Sequence, residues 1–275
     1  MSRRLKPTFI AFGLLGGLLL LNLVAPIVNL LLQANWSAWL ASLRQPESYQ
    51  AIKVSLLASG ISVLIMTLMG VPLGYVLARA HPPLKRLWVS LVFLPLVVPD
   101  LAGGILLLQM FGPYGLVGHP LDAHNIELTN NLAGIVLAQL FVAAPFVVVS
   151  ALAAFTGVDS KLEMAAAMLG DSRWQIFWRI SLPLAWPGIA AGITLAWIRA
   201  LGEFGTTLIM AYNPHTLPVH MFIKFESQGL AGALPAAFCL VLLAMGAVAL
   251  SMLFSRITGF ADVVVPLGET GEKAA

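Results

Sequence analysis

From Met164 to Pro183 the chain reads M-A-A-A-M-L-G-D-S-R-W-Q-I-F-W-R-I-S-L-P, a more polar stretch between two long apolar ones. Gly170 divides it, and glycine ends a helix without steric cost because it adopts the left-handed backbone freely. Pro183 is predicted to stop the following helix, since proline lacks an N–H and clashes with the preceding turn. The stretch is therefore predicted to form a helix–glycine–helix hairpin.

Two patterns mark the expected helix starts. Serine followed three residues later by Glu or Gln favours a helix N-terminus, because each side chain accepts a backbone N–H that the helix leaves unpaired. This spacing occurs as Ser160 with Glu163 and as Ser172 with Gln175. Both helices of the hairpin are therefore predicted to begin with a capping box.

The second predicted helix carries large apolar side chains at Trp174, Phe177 and Trp178, with Arg173 and Arg179 beside them. Exposed aromatic side chains on a short hairpin favour docking to another protein. An ordinary membrane-surface hairpin with interfacial tryptophans fits the same residues. The residues alone leave both interpretations open.

Composition places the chain in a membrane. Apolar residues make up 59% of its 275 residues, charged residues only 10%, and the mean hydropathy is +0.91, whereas a soluble domain has about 25% charged residues. The net charge of +3 is too small to indicate binding to nucleic acid. Cys239 is the single cysteine, which excludes an intramolecular disulfide and a thiolate zinc cluster, so packing is its expected role.

Six stretches reach the length of about 20 apolar residues that a membrane-spanning helix needs. They are 8–32, 50–79, 87–111, 131–155, 186–210 and 231–256. The first is longer than the core of a signal peptide and has no clear cleavage site after it, which favours an uncleaved span. The predicted fold class is an all-α membrane protein of about six transmembrane helices, with residues 1–275 as a single transmembrane domain in the lipid bilayer.

Basic residues predict the orientation of these spans. With the N-terminus inside, eleven lie on the cytoplasmic side: Arg3, Arg4, Lys6, Arg79, Lys85, Arg86, Lys161, Arg173, Arg179, Arg256 and Lys273. Only three lie outside: Arg44, Lys53 and Lys224. Because cytoplasmic loops are enriched in Lys and Arg, both termini and the hairpin are predicted to face the cytoplasm.

The spacing within 164–183 resembles the E-A-A-x3-G-x9-I-x-L-P signature of permease subunits in binding-protein-dependent ABC importers. The matching positions are Ala165, Ala166, Gly170, Ile180, Leu182 and Pro183. One position departs: Met164 stands where the signature has Glu, and Glu163 lies one residue earlier. Glu163 therefore points about 100° away around a helix.

The resemblance implies the type I ABC importer permease (MetI-like) fold, with a core at 50–256 and a cytoplasmic coupling hairpin at 158–183. It implies that a cytoplasmic ABC ATPase receives the hairpin, so that energy enters at Trp174, Phe177 and Trp178. ATP and Mg are expected on that partner, since the sequence has no G-x4-G-K-[ST] phosphate loop. The chain itself is expected to be no enzyme and to bind no cofactor or metal. Further implied partners are a second permease copy, making a homodimer, and a periplasmic or surface-anchored substrate-binding protein.

A second segment bears on the substrate. R-A-L-G-E-F-G at 199–205 is similar to molybdate and sulfate permeases, and A-Y-N-P-H-T-L-P at 211–218 more closely resembles the molybdate/tungstate branch. The resemblance implies import of an oxyanion, with molybdate or tungstate expected and sulfate or thiosulfate as the alternative.

Three charges lie well inside the apolar spans, away from their ends. Arg199 and Glu203 stand four residues apart, the spacing of an ion pair along one helix. Asp100 lies as many residues from the cytoplasmic end of the third span as Arg199 lies from that of the fifth. At about 1.5 Å per residue, both are expected at a depth of about 20 Å. A charge at the bilayer centre costs about 2.5–3.5 kcal/mol and should face protein or water. We therefore predict a cluster of these three residues that joins the two spans, with a structural role favoured over direct oxyanion binding by Arg199.

Four further residues complete the predicted gate: Gly202, Gly205, Thr206 and Thr207. The threonine hydroxyls offer a weakly polar lining that would let an anion pass without holding it. The glycines fit a hinge and close helix packing equally well.

Two other classes remain as alternatives. A channel or secondary transporter working without ATP would more often show paired broken spans in two corresponding halves, and we find no such symmetry. A membrane-embedded enzyme would need converging catalytic groups such as H-E-x-x-H, which are absent from the sequence. His119, Asp122 and His124 are spaced closely enough for a metal, but the surrounding irregular loop favours none.

Overall fold

The computed structural model describes residues 7–32 and 34–257, and the regular elements within them are helical. The α-helices are α1 Pro7–Leu32, α2 Trp36–Leu43, α3 Pro46–Arg79, α4 Pro82–Val97, α5 Asp100–Phe111, α6 Gly118–Asp122, α7 Leu132–Thr156, α8 Ser160–Met168, α9 Arg173–Ile176, α10 Leu182–Leu201, α11 Gly205–Met210 and α12 Leu217–Ile257. A π-helical turn, Phe177–Ser181, joins α9 to α10. The predicted all-α class is confirmed.

Helix α7 supplies much of the core, because it packs against both α3 and α10. One of its faces is fully buried, at Ala143, Val147, Ala151 and Phe155. The approach is too close for larger residues at two positions: a Cβ added to Gly74 would lie 2.6 Å from the Ala151 Cβ, and one added to Gly192 would lie 2.2 Å from the Ser150 Cβ. Small residues thus allow the helices to pack tightly, as is common in membrane bundles.

Five helical stretches of the described chain are long and apolar enough to cross a membrane, and α4 with α5 provides a sixth if this bent pair is one span. The third predicted span, 87–111, corresponds to this bent pair, and it is not one straight helix because the chain turns by 111° between α4 and α5. Val98 is extended there, as a residue before proline prefers. The predicted depth of Asp100, counted along a straight helix, therefore has no basis.

The last two predicted spans also needed correction. The span at 186–210 is broken, since α10 ends at Leu201 and the chain resumes helical structure only at Gly205. The span at 231–256 is part of the longer α12, which begins at Leu217 and is kinked at Gly229, whose φ is 68°.

A row of buried serines on α3 makes polar contacts with the surrounding helices. Each makes a contact with another part of the chain: Ser48 Oγ lies 3.0 Å from His220 Nε2, Ser55 accepts the Leu217 N–H at 2.7 Å, Ser59 accepts the Trp197 indole N–H at 3.1 Å, and Ser62 donates to Gln139 at 2.8 Å. In an apolar environment such hydrogen bonds define which helix faces meet, because an unpaired polar group is costly there.

The predicted orientation relies partly on Arg3, Arg4, Lys6 and Lys273, which lie outside the described residues, as does the side chain of Arg256. The orientation with both termini inside, and the domain bounds 1–275 and 50–256, stay predictions.

Candidate coupling surface and charge cluster

The first half of the hairpin is helix α8, followed by a tight reversal. Asp159 caps this helix by accepting the Lys161 N–H at 2.9 Å. The predicted Ser160–Glu163 capping box was wrong, because the Glu163 carboxylate is engaged by other side chains. Gly170 has φ +95°, which confirms its predicted left-handed backbone.

The second half begins as predicted and ends differently. Ser172 and Gln175 form the capping box, with backbone-to-side-chain distances of 2.7 and 3.3 Å. Pro183 does not stop the helix: α9 passes through the π-helical turn directly into α10, and Pro183 lies in the first turn of α10. Proline is tolerated inside this continuous helix because local π-helical adjustments and neighbouring helices can satisfy the freed backbone groups.

The hairpin presents an apolar surface, which we call the docking face: Met168 is 88% exposed, Leu169 88%, Trp174 69% and Trp178 50%. Phe177, predicted with the two tryptophans, points instead into the protein. Its ring lies 4.9 Å from the Tyr75 ring and 6.0 Å from that of the fully buried Phe155. The aromatic residues thus form a continuous path from the docking face to the core.

The residues of the signature have different environments. Ala166 is buried, Ile180 and Leu182 are half-buried, and Ala165, Gly170 and Pro183 are exposed. Met164, at the position of the signature Glu, is 53% exposed. Ile176 and Ser181, which the sequence analysis did not single out, are buried and anchor the hairpin.

Glu163 faces inward, toward the end of α3. Its carboxylate accepts from Arg79 Nε at 3.0 Å, from Arg79 Nη2 at 2.5 Å and from the Ser181 hydroxyl at 2.7 Å. Partial burial works to raise the pKa of the Glu163 carboxyl, but the hydrogen bonds from Arg79 and Ser181 and the charge of Arg79 outweigh it, so the pKa lies below its ordinary value. The carboxylate is therefore charged at neutral pH.

The predicted charge cluster is present, at the point where two helices are broken. Arg199 donates through Nη1 to Glu203 at 2.8 Å and through Nη2 to Asp100 at 2.7 Å. Asp100 lies in the first turn of α5 and Arg199 in the last turn of α10, so both charges complement their helix dipoles. Glu203 follows the end of α10 and accepts the Thr206 N–H at 2.7 Å. The Arg199–Glu203 ion pair therefore spans the break after α10, whereas the sequence predicted it within one continuous helix.

The remaining predicted gate residues have different contacts in the structure: Gly202, Gly205, Thr206 and Thr207. The Thr206 hydroxyl donates to the Asp100 carbonyl at 2.9 Å, so it ties α11 to α5. Thr207 is fully buried, and its hydroxyl finds no hydrogen-bond partner among the described residues. A Cβ added to Gly205 would lie 2.8 Å from the Asp100 Cβ, whereas the nearest atom to one on Gly202 is 3.5 Å away. Close packing therefore accounts for Gly205 and not for Gly202.

The segment that contains His119, Asp122 and His124 was predicted to be an irregular loop, but its first part forms the short helix α6, Gly118–Asp122. No metal cluster is found there within the part of the chain that the structure describes. His119 Nδ1 lies 3.2 Å from the Pro113 carbonyl oxygen, and His124 Nδ1 lies 2.9 Å from that of Pro120. Each ring thus has a backbone neighbour.

Long apolar helices together with an exposed helix–glycine–helix hairpin, as found in the described residues, are the architecture expected of a multi-pass membrane permease. The family described as binding-protein-dependent transport system inner membrane component matches residues 70–259, and the chain belongs to this family. It is therefore a protein of the cell membrane.

Individual relatives and solved structures agree with this assignment. The chain is 43% identical to a probable molybdenum ABC transporter permease protein of Haloferax volcanii, over 86% of this chain and 87% of that protein. It is 39% identical to a molybdate/tungstate transport system permease protein of Thermococcus kodakarensis, over 87% and 92% of the two chains. The fold is similar to a chain of a bacterial alginate ABC transporter crystallised with an alginate pentasaccharide-bound periplasmic protein, with a TM-score of 0.70, 20% identity and coverage of 90% and 94%. The type I importer permease fold is thereby confirmed.

Proposed function

We propose that this chain is the transmembrane permease subunit of an ATP-driven importer for molybdate or tungstate. The observation that carries the proposal is the likeness to a probable molybdenum permease and a molybdate/tungstate permease, which extends over more than four fifths of the chain. The strings at 199–205 and 211–218 point to the same substrate class. A sulfate or thiosulfate importer is the alternative.

The proposed division of labour leaves ATP and Mg to a cytoplasmic ATPase dimer, with no catalysis and no cofactor on this chain. The docking face supports this assignment, because four large apolar side chains on a short polar hairpin gain from burial against a partner. The family description supports a separate substrate-binding protein on the outer side. Two copies of the chain would enclose the pathway as a homodimer.

The test is uptake into vesicles that contain the permease with its cognate ATPase, ATP and Mg, in the presence of the substrate-binding protein. Uptake of molybdate and tungstate should require ATP and both partners, and uptake of sulfate should be much slower. Preferential sulfate uptake would establish the alternative substrate, and uptake without ATP would favour a channel.

We also propose that the charge cluster of Asp100, Arg199 and Glu203 acts as a gate and not as an anion site. Two carboxylates share one guanidinium, so the cluster presents no free cation to an oxyanion. Its contacts instead hold two broken helices together, with Thr206 and Gly205 keeping α11 close to α5. Passage of the anion would require these contacts to rearrange, while Gly202, without close neighbours, provides a place where the backbone can turn.

A further inference from the structure

Arg79 is the point where the hairpin meets two long helices. It lies in the last turn of α3, and its Nε and Nη2 atoms donate to the Glu163 carboxylate of α8. Its Nη1 atom donates to the Phe155 carbonyl oxygen, near the end of α7, at 3.1 Å. One planar guanidinium therefore connects α3, α7 and α8.

The geometry depends on arginine. A guanidinium has five N–H donors in a rigid plane, so it can hold both carboxylate oxygens and a third acceptor at once. A lysine ammonium is a point charge on a flexible stem and would not reproduce the three contacts. The pair lies at the protein surface but is partly shielded, the Arg79 side chain being 29% and that of Glu163 15% exposed, so it should be stronger than a fully solvated pair.

The same carboxylate reaches the other half of the hairpin. Ser181, at the end of the π-helical turn, donates to Glu163 and is fully buried. Below it, Phe177 packs on Tyr75 of α3 and Phe155 of α7. Both halves of the hairpin are thus fixed to the ends of α3 and α7.

We propose that Arg79 is a positioning residue for energy coupling, which holds the hairpin rigidly on α3 and α7 so that a displacement of the hairpin moves these two helices. The inference rests on the proposed function, because it requires an ATPase that displaces the hairpin. Arg79 is not part of the docking face, so its loss should leave ATPase binding intact while the displacement is no longer transmitted.

The experiment compares uptake and ATP hydrolysis in the same vesicles, with permease, ATPase and substrate-binding protein present. For Arg79→Ala we expect the number of oxyanions imported per ATP hydrolysed to fall at least about 5-fold, the lower end of typical coupling effects. Co-purification of the ATPase should be unchanged. Arg79→Lys, which keeps the charge and most of the side-chain volume, should give an intermediate ratio and covers the case in which the alanine variant does not fold.

Two further variants separate positioning from a general effect of charge. Arg86→Ala is the control, since Arg86 is an exposed arginine of α4, outside the hairpin; it should leave the ratio unchanged. The exchange Arg79→Glu with Glu163→Arg restores an ion pair and should recover part of the ratio that Arg79→Glu alone loses.

The outcomes are distinguishable. A wild-type assembly without ATP-dependent uptake would refute the proposed function. A functional wild type whose Arg79→Ala variant keeps the same ratio would overturn the inference, and so would a loss of activity that is fully explained by loss of ATPase binding.

Discussion

The Arg199 guanidinium lies 2.8 Å from a Glu203 carboxylate oxygen, although helix α10 ends between the two residues, at Leu201. The other carboxylate oxygen of Glu203 accepts the Thr206 N–H at the start of α11. The side chain of Glu203 therefore connects the two halves of a broken helix. Since Asp100 accepts from the other terminal nitrogen of the guanidinium, at 2.7 Å, the break in one span is tied to the bend in another.

Replacing Arg199 by Ala should impair transport more than assembly. Two carboxylates would lose their shared partner and repel one another, so the arrangement of α5 and α11 would no longer be favoured. We expect uptake to fall by about tenfold or more, equivalent to about 1.4 kcal/mol, with permease and ATPase still co-purifying. Glu47→Gln, which breaks a pair between the 75% exposed Glu47 and Lys224 at 3.4 Å, should transport normally. Normal uptake by the Arg199 variant would refute the gate.

The two carboxylates of the cluster should differ in their effect on stability. The side chain of Glu203 is fully buried and that of Asp100 is 46% exposed. Glu203→Leu leaves Arg199 partly unpaired and the Thr206 N–H without its acceptor, so it should lower the free energy of unfolding by about 3–5 kcal/mol. Asp100→Asn should change it by about 0–1 kcal/mol. Thermal unfolding in detergent measures the order, and a larger effect at Asp100 would contradict this assignment of burial.

The charge cluster could be predicted from the sequence because the surrounding lipid does not solvate a charged side chain. A charge within an apolar span must find a partner, and Asp100, Arg199 and Glu203 are the charges of the predicted third and fifth spans. The helix breaks beside them could not be predicted from the sequence, since membrane helices often tolerate proline and glycine without breaking. Whether Pro99 bends the chain depends on what the neighbouring helices offer the freed backbone.

The sequence could not predict that the Glu163 side chain points into the protein. Its spacing from Ser160 fits a capping box, and its partner Arg79 lies 84 residues away. Which of the two interactions forms depends on how closely the end of α3 approaches α8, and that is decided by packing of the aromatic residues around Phe155. Local pattern and tertiary contact competed here, and the tertiary contact prevailed because Arg79 donates two hydrogen bonds to the carboxylate and Ser181 a third, whereas a capping box offers one backbone N–H.

Two glycines near the cluster should respond differently to an added methyl group. In Gly205→Ala the new Cβ would lie 2.8 Å from the Asp100 Cβ and 3.2 Å from the Leu101 nitrogen. It must therefore push α11 away from α5, which should lower stability by about 1–3 kcal/mol. Gly202→Ala has ordinary contact distances and a negative φ of −86°, so its unfolding temperature should stay close to that of the wild type. Equal effects of the two changes would contradict the close packing at Gly205.

Two aromatic residues of the hairpin should have different effects when they are replaced: Trp174 on binding of the ATPase and Phe177 on the stability of the fold. Trp174 is 69% exposed, so Trp174→Ala should weaken binding of the ATPase, by about 2 kcal/mol or more if it is a hot spot, with an unchanged unfolding temperature. Phe177→Ala removes ring contacts with Tyr75 and Phe155 and should lower the unfolding temperature. Titration of the detergent-solubilised permease with the ATPase, and thermal unfolding of each variant alone, measure the two effects. A stability loss at Trp174 as large as that at Phe177 would show that its ring is buried.

The contribution of the Arg79–Glu163 pair to the free energy of unfolding should be lost at acidic pH. The pKa of Glu163 is lowered from its ordinary value of 4.5, so the folded state binds this proton less readily than the unfolded state. The stabilisation is therefore complete above pH 4.5 and is lost as the pH falls through the lowered pKa. We expect the difference in unfolding free energy between wild type and Glu163→Gln to be constant from neutral pH down to about 4.5 and to shrink below it. Denaturant unfolding of both proteins across this range tests the expectation, with Asp171→Asn as the control for a second carboxyl of the same hairpin, whose pair with Arg179 is longer at 3.4 Å. A difference that grows on acidification would mean that burial, and not Arg79, dominates the environment of Glu163.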